Sequence, residues 1–164
     1  MCARGFCVGA ATLGVVFLAP ERPVMAATAT GTLNVSALVI NSCIVAVGAL
    51  AFGNYDPTAS GNLDVNGTFL LTCTPGASGT IGLDTGANAS GSIRRMTFSS
   101  SFLAYELYKE GARTNVWGNS GGATQAFTSS SLLAQTFTVY GRVAPAQGVA
   151  AGLYLDTVGI TVTF

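Results

Sequence analysis

From Leu63 to Cys73 the run LDVNGTFLLTC places Leu63, Val65, Phe69, Leu71 and Cys73 on one face. Such a period of two describes a strand with one buried side, and it excludes a helix over the same residues. Gly67 interrupts that face and reads as a bulge. Similar short runs follow one another along the chain: CIVAVGALAF (43–52), TIGLD (80–84), IRRMTF (93–98), FLAYELYKEG (102–111), LAQTFTVYGRV (133–143) and GLYLDTVGITVTF (152–164). Clusters of Gly, Asn, Asp, Pro and Ser separate them, such as GNYDPTASGN, TPGASG and TGANASGS, and these are turn signals. NSGGATQAFTSSS (119–131) reads as a long polar loop. Many short strands with polar turns specify an antiparallel β-sandwich.

Two runs need separate argument. FLAYELYKEG contains good helix formers, yet its length and its pairing with IRRMTF favour a strand. Both of its faces carry bulk, which places it inside a sheet. The last run is expected to bury Tyr154, Val158, Ile160, Val162 and Phe164. It reaches the final residue, so its outer edge is expected to stand uncovered, and an open apolar edge must be covered by something. At the other end, GTLNVSALVIN (31–41) also alternates, with Leu33, Val35, Ala37 and Val39 on one face and Thr32, Asn34 and Ser36 on the other. Beyond Ser36 the pattern blurs, because Leu38 and Ile40 are apolar too. The sequence thus has a spare strand at its start and an unpaired edge at its end.

The first residues read as an export signal. Arg4 is its basic start, residues 6–19 its apolar core, and VMA (24–26) a small-residue cleavage site. The apolar run is shorter than the roughly 20 residues a bilayer span needs, and Pro20 and Pro23 end any helix there. Removing residues 1–26 takes away Cys2 and Cys7 and leaves Cys43 and Cys73. Two cysteines in an exported chain read as one disulfide, contributing about 3–4 kcal/mol by chain entropy.

Chemistry has little to work with. The chain contains no His, which excludes a Ser-His-Asp or Cys-His arrangement and argues against a metal site. Asp56, Asp64, Asp84, Glu106, Glu110 and Asp156 are scattered, mostly in turns. LDTGAN (83–88) reads as a Gly-containing turn rather than a cation loop. Adjacent Arg94 and Arg95 face opposite sides of a strand and read as surface charge, and Trp117 as an apolar anchor. Zero net charge gives no support to a nucleic-acid partner. Charged residues are only 9% of the chain, against a usual figure of about 25%, so much of its surface is expected to be covered by something.

Several pieces, in order, resemble the spore coat protein U family, which includes subunits of archaic chaperone–usher pili. They are Cys43, FGNYD (52–56), TCT around Cys73, IGLDTG (81–86), RRMTF (94–98), LAYELYKEG (103–111), WG (117–118), YGRVAPAQ (140–147) and the ending AGLYLDTVGITVTF (151–164). The resemblance implies an immunoglobulin-like sandwich lacking its last strand, completed by donor-strand exchange. It divides the chain into a signal peptide (1–26), a donor extension (27–40) and a pilin-like domain (41–164). Residues of about 28–37 would complete a neighbour's sheet, with Leu33, Val35, Ala37 and Val39 as the donor face and Val158, Ile160, Val162 and Phe164 as the acceptor edge. The implied partners are neighbouring subunits, a periplasmic chaperone and an outer-membrane usher. The implied function is that of a shaft or adaptor subunit of a surface pilus, without cofactor or catalysis. A coat-like surface protein without a regular pilus, and a monomeric binding module whose first strand folds into its own sandwich, are the alternatives.

If Cys43 and Cys73 are paired, exported protein denatured with an alkylating agent gains no mass, whereas two alkylated cysteines would refute the pairing. Cys43→Ser is expected to lower export yield, because a chain less able to fold is degraded first.

Overall fold

The computed structural model describes residues 20–164, and the chain divides into two units, Met1–Ala37 and Leu38–Phe164. The basic start and the whole apolar core of the expected signal lie outside the described residues. Residues 20–37 form no helix or strand, and their side chains are exposed. Among the described residues no helix is long and apolar enough to cross a membrane.

The second unit holds eight strands: β1 (Cys43–Val47), β2 (Leu63–Cys73), β3 (Ser78–Leu83), β4 (Arg94–Phe98), β5 (Ser101–Tyr108), β6 (Gln125–Thr128), β7 (Gln135–Val143) and β8 (Ile160–Thr163). One sheet runs in the order β1-β2-β7-β5-β4 and the other β6-β3-β8, with every pairing antiparallel. The alternation works as the sequence indicates. Phe69, Leu71 and Cys73 of β2 and Leu103, Tyr105 and Leu107 of β5 point inward and are buried, while their neighbours face out. β5 lies between β7 and β4, as its two bulky faces require. Cys43 and Cys73 are joined by a disulfide that pins β1 to the end of β2.

Two buried polar side chains tie the sheets together. The Trp117 backbone N–H donates to Leu107 O on β5 at 2.8 Å, and its indole N–H donates to Ile81 O on β3 at 2.9 Å. One residue therefore bonds to both layers, and its ring packs 5.9 Å from Phe69. Arg94 does the same from β4. It donates to the carbonyls of Leu83 (3.0 Å), Asp84 (2.7 Å) and Trp117 (2.7 Å), and it pairs with the Glu106 carboxylate.

The structure corrects the sequence reading at several points. Arg94 is not surface charge but 2% exposed. Arg95, on the opposite face, lies over the Phe102 ring at 4.2 Å. Gly67 makes no bulge, since β2 and β7 pair without interruption from Leu63–Val143 to Leu71–Gln135. It is small because a Cβ there would lie 3.0 Å from that of Leu50, which crosses its face. The polar loop at 119–131 hides β6, whose one buried apolar side chain, Phe127, is too little for a periodic signal.

The final run is not one strand. Leu155 exchanges two backbone hydrogen bonds with Thr97 on β4, and Gly159 N–H already bonds the Asp84 carboxylate beside β3. The chain changes sheets between these points, so only Ile160–Thr163 remains as strand. Tyr154, Val158, Ile160 and Val162 are partly buried against the core, but Phe164 is 51% exposed, not buried.

Arg94→Met strands the Glu106 carboxylate and leaves three carbonyls without their donor. It is expected to lower stability by about 3 kcal/mol in urea unfolding. Arg142→Ala removes an exposed pair with Asp64 and is expected to cost less than about 1 kcal/mol. Equal effects would show that Arg94 does not tie the layers.

Candidate functional site

Between the two sheets lies an open cleft of about 1280 Å³ with a mostly apolar lining. Its floor is the inner face of β2, β5 and β7, including Phe69, Leu103 and Val139. Small residues shape that floor. A Cβ on Gly141 would stand 2.9 Å from the Phe52 ring, as one on Gly67 would crowd Leu50. The two glycines thus make a hollow in which residues 50 and 52 lie as the chain leaves β1. Phe52 meets the Tyr105 ring edge-on at 5.8 Å. Val158 and Ile160 form part of the opposite wall.

The cleft is bordered by unpaired backbone. β8 bonds β3 along one edge and β1 bonds β2 along one edge, and among the described residues neither has a strand on its other edge. A short edge strand beside a wide apolar opening is a template for strand addition.

Polar contacts hold the rim. The Tyr105 hydroxyl donates to Asp156 at 2.7 Å, and Asp156 also accepts from Asn88 N–H at 3.1 Å and from its amide at 2.9 Å. Burial pushes the Tyr105 hydroxyl well above the usual tyrosine range, and the Asp156 bond pushes the same way, so it remains a donor at any physiological pH. Asp84 accepts from Gly86 N–H and Gly159 N–H, a carboxylate spent on turning the chain. Among the described residues no three His, Cys, Asp or Glu side chains gather as a metal site.

The residues singled out from sequence are distributed as follows. Leu33, Val35 and Ala37 belong to the first unit and Val39 to the second; all four are exposed. Val158 and Ile160 line the cleft, Val162 packs against the core, and Phe164 is exposed and outside the lining. The sequence reading missed residues 49–55 and 149–157, which contribute much of the wall. The signal for the first was present, in the apolar GALAF after β1, but nothing local pairs it with Gly67 and Gly141.

Comparison with known proteins gives three findings. A family model described as the Spore Coat Protein U domain matches residues 29–161. Protein U of Myxococcus xanthus is 35% identical over 172 aligned residues, covering 94% of this chain and 96% of its own. Among solved structures, the CsuC–CsuE chaperone–tip adhesion subunit pre-assembly complex from archaic chaperone–usher Csu pili of Acinetobacter baumannii matches with a TM-score of 0.59. That match covers 77% of this chain and 40% of the other at 20% identity, and it is a likeness of fold.

The cleft makes a solution prediction. Residues 27–164 alone should bind an apolar dye and aggregate. A copy of residues 27–40 grafted after Phe164, through a flexible linker of scanned length, should give a soluble monomer with little dye uptake. A stable, dye-free monomer from the ungrafted chain would show that the cleft is closed in solution.

Proposed function

Because the chain belongs to the spore coat protein U domain family, we propose that it is a structural subunit of a surface pilus, assembled through a chaperone–usher pathway by donor-strand complementation. The observation that carries this reading is the apolar cleft beside the unpaired edge of β8. The fold likeness to an archaic chaperone–usher pilus complex and the alternating segment at residues 31–37 support it. A segment with that alternation supplies what the cleft lacks: backbone donors and acceptors for β8 and a row of apolar side chains for the floor. Its place in the fibre would be that of a shaft or adaptor subunit. A periplasmic chaperone would cover the cleft before assembly, an outer-membrane usher would direct exchange, and the product would stand on the cell surface. The work is mechanical rather than catalytic.

A second reading, a coat-like surface protein deposited without a regular pilus, draws on the family's own description and on the full-length match to Protein U. It would show as surface material without fibres.

The donor face is testable by position. Burying Leu33 and Val35 in a neighbour would contribute roughly 1.5–3 kcal/mol each. An Asp at either position would place an unpaired charge in the groove, costing several kcal/mol more. Leu33→Asp or Val35→Asp is expected to abolish fibres while the subunit still co-purifies with its chaperone. Asn34→Asp, on the other face, is expected to leave fibres nearly normal. Normal assembly of Leu33→Asp under electron microscopy would show that this strand is not the donor. Loss of chaperone binding as well would place it in the subunit's own core.

A further inference from the structure

Two pairs of exposed leucines sit at opposite ends of the sandwich. At one end β1 begins, β2 ends, β6 ends and β7 begins. The β6–β7 loop there carries Leu132 and Leu133, 69% and 77% exposed. This loop is tied to the point where the chain leaves toward its N-terminus. Ser129 accepts from Gly76 N–H at 2.7 Å and donates its hydroxyl to Cys73 O at 3.2 Å. Next along the chain, Thr74 N–H donates to Ser42 O at 2.9 Å, and Ser42 N–H donates to the Thr74 hydroxyl at 3.0 Å. At the opposite end, where β8 begins, Leu153 and Leu155 are 71% and 61% exposed on the rim of the cleft. The hydrogen bonds to Thr97 fix the backbone of Leu155 there.

We infer that these pairs are two halves of one contact, in which Leu132 and Leu133 of one copy seat against Leu153 and Leu155 of the next copy of this chain. The inference rests on the donor-strand reading and adds a second interface to it. β8 runs from the Leu155 end toward the Leu132 end. A donor strand antiparallel to β8, as every pairing in both sheets is, would therefore emerge from its host at the Leu155 end. It would then enter its own sandwich at Ser42, beside Leu132. One end of each copy thus meets the other end of the next, a heterologous contact that repeats without limit. Parallel insertion would set like ends together, and every copy would need its single Leu132 end for two neighbours at once.

The connecting segment strengthens the argument. Residues 38–42 span at most roughly 17 Å, and Thr74 pins their far end, so the two facing ends cannot separate widely. Leu38 and Ile40 within it, on the face away from the donor row, are exposed. A free linker in water is ordinarily polar, so an apolar one matches a covered junction.

Disulfide trapping in assembled fibres tests the contact. Leu132→Cys or Leu133→Cys is combined with Leu153→Cys or Leu155→Cys, and the fibres are oxidised, boiled in detergent and run without reductant. The expected result is a ladder of covalent multimers from at least one pairing, lost on reduction, with Cys43–Cys73 intact by peptide mass. No ladder from any of the four pairings, in preparations that do form fibres, overturns the contact and leaves the pilus reading standing. A covalent dimer from Leu132→Cys alone means that like ends meet and overturns the head-to-tail arrangement. Absence of fibres from the unmodified chain overturns both readings.

Discussion

A sandwich with an open cleft of about 1280 Å³ has lost much of the side-chain packing that ordinarily fixes two sheets at their spacing. Buried hydrogen bonds here reinforce the apolar core that the two sheets share. Trp117 bonds a carbonyl on each sheet, and Arg94 carries a guanidinium from β4 onto the end of β3. A buried cation is costly unless its donors are satisfied, and its bonds to three carbonyls and a carboxylate meet that condition. Directional bonds of this kind keep the walls apart where apolar contacts would draw them together. The cleft, its rim and the unpaired β8 edge all depend on that arrangement.

The sequence pieces that resemble the family turn out to be these fastenings rather than chemistry. Arg94 of RRMTF reaches Asp84 of IGLDTG and Trp117 of WG. Tyr55 of FGNYD donates to Ala144 O at 3.0 Å and accepts from Gln147 N–H at 2.8 Å, both within YGRVAPAQ. The Gln147 carboxamide then bonds both the N–H and the C=O of Ala104, filling the place of a neighbouring strand on β5. Each motif is half of a contact, and the halves lie 10 to 92 residues apart.

The low charge of the chain acquires a physical sense from this. Apolar residues stay exposed along the connecting segment, at both ends of the sandwich and in the cleft. On the proposed reading these are the surfaces at which copies of one chain meet, and the isolated subunit is a fold whose last part comes from its neighbour. Its stability is then inseparable from its assembly.

What the sequence determined by itself was local. Alternation, apolar β-branched runs and the spacing of turn clusters together indicated seven of the eight strands, and the cysteine count indicated the Cys43–Cys73 pair. Strand propensity and alternation act between residues two apart, so they can be read from one stretch. The tertiary structure alone decided that Arg94 is buried while Arg95 is not, that Gly67 makes room for Leu50, and that the final run breaks between Leu155 and Gly159. It alone decided, too, that a four-residue strand lies inside a polar loop. Each of these outcomes depends on partners distant in sequence: three carbonyls, a side chain crossing a glycine, a second sheet edge. Burial and hydrogen bonding are set by what the fold brings alongside a residue, and a residue's own neighbours in the chain carry no record of it.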